Sequence, residues 1–186
     1  LDGHTELYNY PSELILTSPK FNWFGDLIWR SGDLIFNTMK TNNHLKVCYI
    51  NKNYHKKGKG YIKEATKNLF LYNPFLEKKI FSQIIKKNNN AKKDLRFLFN
   101  SYFTSFFNSF LNDKNLAGEK KFISAFLPRF IHCDNNIDKF FSIYPNGFLI
   151  LIIRDPETWL KSAKKHSIDY ENTKISLDLW LKSLKN

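Results

Sequence analysis

The stretch FLILIIRDPETWLKSAKKH, residues 148–166, places an arginine and a serine where they could bind one anion together. Arg154 follows six apolar residues, and Ser162 comes eight residues after it. The planar guanidinium suits phosphate oxygens, and the carboxyl end of a parallel strand is where α/β folds bind ligands. Ser162 would then lie about 10 Å further along the next helix. From this stretch alone an alternative stays open, in which Arg154 pairs with Asp155 or another carboxylate and Ser162 lies on a neutral helix face.

The elements around this pair can be predicted from local patterns. A continuous apolar run of strand length is typical of a parallel sheet covered by helices on both faces. Asp155 is a good helix N-cap, and Pro156 suits the first turn. We therefore expect residues 148–154 to form a buried strand paired in parallel, and residues 156–166 a helix packed on that sheet. Upstream, NIDKFFSI has helical spacing and YPNG suits a turn.

The rest of the chain predicts a large helical middle. Together with the parallel strand expected at 148–154, this predicts an α/β fold class. The predicted elements are a turn-like segment at 9–14, short helices within 21–39, a β-leaning segment at 44–53, and helices at 62–72, 73–87 and 94–111. Apolar residues at helical spacing in the last two are expected to face the core. They are Phe81, Ile84, Ile85, Leu95, Leu98, Phe99, Tyr102, Phe103 and Phe106.

Composition limits the classes of protein that fit. With 186 residues a single domain is expected. The net charge of +12 favours an anionic partner, although its lysine bias also suits an AT-rich genome and does not select one. Gly58 and Gly60 lie among lysines without the strand and helix of a phosphate-binding loop, so a solvated loop is expected there. Cys48 and Cys133 are expected to be free thiols.

No run of eighteen apolar residues and no signal peptide is evident, so we expect a cytoplasmic protein without a membrane span.

The segment IIRDPETWLKS resembles the 3′-phosphate-binding segment of sulfotransferases that use 3′-phosphoadenosine 5′-phosphosulfate. In that family a strand ends in Arg-Asp/Asn-Pro and a serine follows the arginine by eight, as Arg154 and Ser162 do here. The opening LDGHTELYNYPSEL is similar to the segment that follows the family's phosphosulfate loop. Trp180 matches a tryptophan that the family often has on the next helix.

This resemblance implies a P-loop NTPase-like sulfotransferase fold, incomplete here, with residues 1–186 as one sulfotransferase-like domain truncated at both ends. Arg154 and Ser162 would bind the donor, 3′-phosphoadenosine 5′-phosphosulfate, and no metal is implied. The acceptor would be a hydroxyl or amine of a carbohydrate, lipid, peptide or small alcohol, with no nucleic-acid partner. The phosphosulfate loop is expected upstream of Leu1, so we expect this fragment to be inactive alone.

The resemblance also suggests a catalytic base. Glu13, in YPSEL, aligns with the carboxylate that acts as base in protein- and sugar-modifying members; an exposed or helix-capping glutamate is the alternative. The Lys-Thr-Pro-like segment of the family is replaced by KKFISAFLPRF, where a catalytic role of Lys120 or Lys121 is a guess. His4 and His132 are further candidates, and His166 is expected to end its helix.

Two other classes of function stay open. A basic nucleic-acid-binding module would rest on the charge and the lysine-rich loops, and its affinity would fall steeply with salt. A P-loop nucleotide kinase would share the strand–helix pattern but requires an upstream loop and a cluster of lid arginines.

Overall fold

The chain is described by a computed structural model. The described residues are 4–14, 17, 18, 21, 22, 25, 27, 30, 32–41, 73–88, 94–109, 121–127, 130–132, 135–166 and 168–185. The chain divides into two compact units, Leu1–Pro128 and Arg129–Asn186. The segments predicted at 44–53 and 62–72, the glycine-containing loop, Lys120 and both cysteines lie outside the described residues.

The first unit contains a two-stranded parallel sheet. Strand β1, Leu7–Glu13, pairs with the strand Phe122–Phe126, and the register shifts between Asn9 and Glu13. Pro11 lies inside this irregular part and has no N–H to donate, which explains why the ladder is interrupted there. The turn predicted at 9–14 is therefore wrong: the proline marks an irregularity in a strand and does not end it.

The short strands β2, Thr17–Ser18, and β3, Phe21–Asn22, form an antiparallel pair. The strand Phe122–Phe126 is therefore β4 in chain order. Part of the predicted 21–39 helical region is thus strand, whereas its later part is helix.

Three helices of the first unit are described: α1, Gly32–Thr41; α2, Pro74–Lys87; and α3, Leu95–Asn108. Helix α2 begins as predicted, because the Asn73 side chain accepts hydrogen bonds from the N–H groups of Phe75 and Leu76 and Pro74 occupies the first turn. Asp94 caps α3 in the same way through the N–H of Arg96.

Aromatic side chains join the sheet to α3. Tyr8 stacks on Phe107 with ring centroids 4.4 Å apart, and Tyr10 packs on Phe106 at 5.0 Å. The hydroxyls of Tyr10 and Tyr102 lie 3.1 Å apart in the buried interior. The predicted apolar faces are confirmed, since Phe81, Ile85, Leu98, Phe99, Tyr102 and Phe106 are buried and Ile84, Leu95 and Phe103 half-buried.

The second unit is helical. It contains α4, Asn136–Ile143; α5, Pro156–His166; α6, Thr173–Lys185; and the 3₁₀ turns Phe130–His132 and Ile168–Tyr170. Helix α5 has the predicted bounds and ends at His166. Trp159 packs edge-on against Tyr170 at 5.6 Å, which anchors α5 to the turn before α6.

Residues 148–154 are not the predicted buried parallel strand. They pair with no described strand, and Phe148 and Ile150 are 86% and 90% exposed. The prediction that α5 packs on a sheet formed by them is wrong for the same reason. Composition indicates only a tendency toward extended backbone, because a strand also needs a hydrogen-bonding neighbour that local sequence does not specify.

The described structure is mostly helical with a small parallel sheet, which makes it broadly α/β. Within the described residues no helix is both long and apolar enough to cross a membrane. The single domain spanning residues 1–186 stays a prediction.

Candidate functional site

The candidate site lies in the second unit, where a tight turn leads into the segment that carries Arg154. After α4 the chain reverses through Tyr144 and Gly147, whose N–H donates to the Tyr144 carbonyl at 2.9 Å. Glycine suits this position, because a Cβ on Gly147 would lie 2.7 Å from Cζ of Phe140 and 3.0 Å from the Tyr144 oxygen, so a side chain there would force a shift. The YPNG turn is thus confirmed, and it leads into the apolar segment that ends at Arg154.

The start of α5 is capped by Asp155. Its Oδ1 accepts hydrogen bonds from the backbone N–H of Thr158 at 2.9 Å and from the Thr158 hydroxyl at 3.1 Å. These two bonds stabilise the ionised carboxylate and lower the pKa of Asp155 below its ordinary value of 3.8. The N-cap predicted from sequence is confirmed, and Thr158 is a second partner that the Asp-x-x-Thr spacing could have indicated.

This cap bears on the alternative interpretation of Arg154, in which it pairs with a carboxylate. The Asp155 carboxylate bonds to Thr158, and no acidic side chain in the described part of the chain pairs with the Arg154 guanidinium. Arg154 is exposed, so its charged group faces water. The predicted alternative, an Arg154–Asp155 ion pair, is not what the structure contains.

The backbone of Arg154 is held by Trp180 of α6. The indole Nε1–H donates to the Arg154 carbonyl oxygen at 3.1 Å. Trp180 is half-buried, and its helix is capped by Asn172, whose side chain accepts from the N–H of Ile175 at 3.1 Å. The arginine is therefore anchored through its main chain while its side chain extends into solvent.

Ser162 is the seventh residue of α5, one turn after Thr158 on the same side of the helix. It lies about 9 Å along the axis from Pro156. Its side chain is half-buried, at the border of the face that buries Ala163, and its hydroxyl has no hydrogen-bond partner among the described residues. Asp155, Thr158 and Ser162 thus follow one stripe of α5 that begins next to Arg154.

Three lysines add positive charge to α5. Lys161 lies 3.9 Å from the Glu157 carboxylate in an exposed i,i+4 pair of small energetic value. Lys164 donates to the Thr173 hydroxyl at 2.8 Å, which links α5 to α6. Lys165 is exposed. Together with Arg154 these side chains make the surface of α5 suitable for an anion.

Glu13, the proposed base, is the last residue of β1 and lies opposite Phe126 of β4. It belongs to the first unit and Arg154 to the second. The role of the Glu13 side chain stays a prediction.

The other candidate residues are distributed over the described chain. Lys121 lies 3.9 Å from the Glu6 carboxylate, and the Nδ1 of His4 accepts from the Glu6 N–H at 3.1 Å. His132 lies in the turn Phe130–His132. No group of three or more metal-ligating side chains occurs among the described residues.

Sequence reasoning missed one contact of the site entirely. The resemblance singles out Trp180 as a tryptophan on the helix after α5. Its hydrogen bond to the Arg154 carbonyl, however, joins residues 26 positions apart. No local spacing indicates such a bond.

Comparisons with known proteins found no match for the chain: no family model, no curated protein and no solved structure matches it.

Proposed function

We propose that this chain is part of a sulfotransferase that moves a sulfuryl group from 3′-phosphoadenosine 5′-phosphosulfate to an acceptor hydroxyl or amine. In this proposal Arg154 and Ser162 bind the 3′-phosphate of the donor, and Glu13 is the base. The acceptor belongs to a carbohydrate, a lipid, a peptide or a small alcohol. The support is the resemblance of IIRDPETWLKS together with the geometry around Arg154.

The observation that carries the proposal is that Arg154 has no acidic partner among the described residues, although Asp155 is its neighbour. An arginine in a structural ion pair would have to break that pair before it could bind a phosphate. Arg154 has no such pair within the described chain, and its main chain is already held by Trp180. A guanidinium of this kind can make charge-assisted hydrogen bonds to phosphate oxygens at little cost in reorganisation.

The N-terminus of α5 contributes less to phosphate binding than the Arg154 and Ser162 side chains do. The Thr158 N–H bonds to Asp155, and the negative charge of this cap opposes an anion placed directly at the helix end. A phosphate is therefore better placed beside α5, where the Arg154 guanidinium and the Ser162 hydroxyl can both donate to it. Residues 148–154 do not form a strand of a described sheet, so they do not support the proposal. The proposal depends on the side chains at and after Arg154.

The chemistry requires little covalent participation by the protein. The Glu13 carboxylate takes the proton of the acceptor hydroxyl, whose oxygen forms a bond to the sulfur as the bond from sulfur to the phosphate oxygen breaks. Adenosine 3′,5′-bisphosphate leaves, and cations stabilise the negative charge that develops on it. Arg154 and Ser162 fix the position of the donor through its 3′-phosphate, away from the bonds that change.

The experiment is a calorimetric titration of the full-length protein with adenosine 3′,5′-bisphosphate and with adenosine 5′-phosphate. Arg154→Ala should weaken binding of the bisphosphate by about 2–3 kcal/mol, because a charged hydrogen bond is lost. That loss corresponds to roughly 30- to 150-fold in the dissociation constant. Binding of adenosine 5′-phosphate should be almost unchanged.

Lys185→Ala is the matched control, because Lys185 is an exposed cation at the end of α6 and is not one of the α5 lysines beside Arg154. It should change both affinities only slightly. Equal losses for the two nucleotides on Arg154→Ala would contradict the assignment and suit a nucleotide kinase better. Binding of both variants to single-stranded nucleic acid, with a steep salt dependence and no sensitivity to Arg154, would instead indicate the basic binding module.

A further inference from the structure

The turn that follows α4 contains the one Asn-Gly pair of the sequence, Asn146 followed by Gly147. Pro145 and Asn146 are the two central residues of this turn, and Asn146 is exposed. Asparagine is among the thermolabile residues of proteins. Glycine has no Cβ, so its nitrogen is the backbone nitrogen least hindered from reacting with the side chain of a preceding asparagine. Asn146 therefore has the neighbour and the exposure of an asparagine that can lose its amide without an enzyme.

The reaction is an attack of the main chain on the neighbouring side chain. Hydroxide removes the proton of the Gly147 nitrogen, and this nitrogen forms a bond to Cγ of Asn146. The bond from Cγ to Nδ2 breaks, and the leaving nitrogen takes a proton from water and departs as ammonia. Water then opens the resulting succinimide ring at either carbonyl, which leaves aspartate or isoaspartate. Water is the only co-reactant, and hydroxide is regenerated.

The folded turn holds the attacking nitrogen in a hydrogen bond. The Gly147 N–H donates to the Tyr144 carbonyl at 2.9 Å, and the Tyr144 N–H donates to the Phe140 carbonyl at 2.8 Å. The Phe140 ring lies 5.8 Å from the Tyr144 ring and so close to Gly147 that an added Cβ would meet it at 2.7 Å. Ring closure needs a nitrogen without its proton, about 3–3.5 Å from the carbon that it attacks. The turn must therefore open before Asn146 reacts.

We propose that Asn146 is a site of spontaneous deamidation and that opening of the turn at residues 144–147 controls its rate. Isoaspartate adds a methylene to the main chain of the turn, next to a position where Phe140 leaves too little room for a Cβ. The modified turn cannot close in the same form, so the reaction makes a transient opening permanent. Either product also adds a carboxylate to a chain of net charge +12, so it binds a cation exchanger more weakly. This inference goes beyond the proposed function and does not depend on it.

The test is incubation of the full-length protein at mildly alkaline pH, with and without denaturing guanidinium chloride. Peptide mass spectrometry measures aspartate and isoaspartate at Asn146, and hydrogen exchange of the Gly147 amide is measured under the same conditions. Both reactions begin when hydroxide removes the same proton, so both require the same opening. We expect folding to slow deamidation by the factor by which it slows exchange at Gly147. Asn146→Gln should give no product in this peptide, because glutamine would have to close a larger ring.

Phe140→Ala should raise the deamidation rate about fivefold or more, because losing part of the packing behind the turn favours its opening by this order. Phe75→Ala is the matched control, because this ring is 87% exposed and belongs to the first unit. It should leave the rate unchanged.

An Asn146 that stays intact in guanidinium chloride would overturn the proposed site. Equal deamidation rates in the folded and unfolded chain would overturn control by the turn, as would a slowing much smaller than that of Gly147 exchange or an equal acceleration by both phenylalanine variants. If Phe140→Ala does not fold, the comparison of the two slowing factors in the unmodified chain still decides.

Discussion

The indole Nε1 of Trp180 donates a hydrogen bond to the main-chain oxygen of Arg154, at 3.1 Å. This bond joins the middle of α6 to the residue just before the α5 cap, so the position of the arginine depends on a second helix. Arg154 would otherwise follow a segment, residues 148–153, whose backbone makes no hydrogen bond to a described residue. The tryptophan is therefore the contact that fixes the arginine backbone.

Trp180→Phe tests this positioning role, because phenylalanine keeps an aromatic ring and removes the N–H donor. We expect affinity for adenosine 3′,5′-bisphosphate to fall about 2- to 10-fold, which corresponds to the loss of one neutral hydrogen bond. Affinity for adenosine 5′-phosphate should be unchanged. Titration calorimetry of both nucleotides gives the ratio of the two affinities, which a general loss of stability does not alter.

The matched control is Trp159→Phe, since Trp159 is also half-buried in the second unit and its ring packs edge-on against Tyr170. Its affinity ratio should equal that of the unmodified chain. The same change of ratio in both variants would show that Trp180 has no particular role at Arg154.

A pH dependence of stability is expected from the Asp155 cap. The pKa of Asp155 lies below its ordinary 3.8, because the folded state stabilises the carboxylate through Thr158. Its contribution is therefore complete above pH 3.8 and is lost as pH falls through the lower folded pKa. Carbon-detected NMR titration of the Asp155 carboxyl should show this depressed midpoint.

Two variants of Asp155 distinguish the effect of its capping hydrogen bond from the effect of its negative charge. Asp155→Asn keeps an acceptor for the Thr158 N–H and should remove only the acid-dependent part of the unfolding free energy. Asp155→Ala removes the acceptor and should lower stability at neutral pH as well. Equal stability of the two variants across the pH range would contradict a capping role.

Local signals were sufficient where a structure depends on neighbours in the chain. The Asp155–Pro156 start of α5 was predicted, because a cap acts within three or four residues, and a helix was predicted over 73–87, where α2 lies. The spacing of Phe81 and Ile85 likewise predicted a buried helix face.

Pairing between distant segments could not be predicted in the same way. Pro11 suggested a turn, yet β1 continues past it because β4 supplies hydrogen bonds on either side of the irregularity. Residues 148–154 have a stronger strand pattern than β1, but they pair with no described strand. The Trp180 bond to Arg154 belongs to the same class, since it depends on how α6 packs against the start of α5.

Gly147→Ala should destabilise the second unit, because the added Cβ would lie 2.7 Å from the ring of Phe140 and 3.0 Å from the Tyr144 oxygen. Phe140 also packs edge-on against Phe130 at 6.2 Å, so its ring cannot move without loss of that contact. We expect a loss of about 1–2 kcal/mol in the free energy of unfolding, the usual range for overpacking. Urea denaturation measures it.

Gly25→Ala is the control for that experiment, since a Cβ at Gly25 meets no atom within 4 Å. It should change the free energy of unfolding by less than about 0.5 kcal/mol. A Gly147→Ala variant as stable as Gly25→Ala would show that the turn can relax around a side chain.

The last prediction concerns Glu13 and applies to the complete enzyme that the proposed function implies. Glu13→Gln removes the carboxylate that would take the acceptor proton, so turnover should fall about 10²-fold or more while nucleotide affinity stays nearly the same. Release of adenosine 3′,5′-bisphosphate from the donor, measured with carbohydrate, lipid, peptide and small-alcohol acceptors, reports turnover. Glu6→Gln is the control, because Glu6 is exposed and interacts with Lys121. Unchanged turnover in Glu13→Gln would remove Glu13 from the site and leave Arg154 and Ser162 without an assigned base.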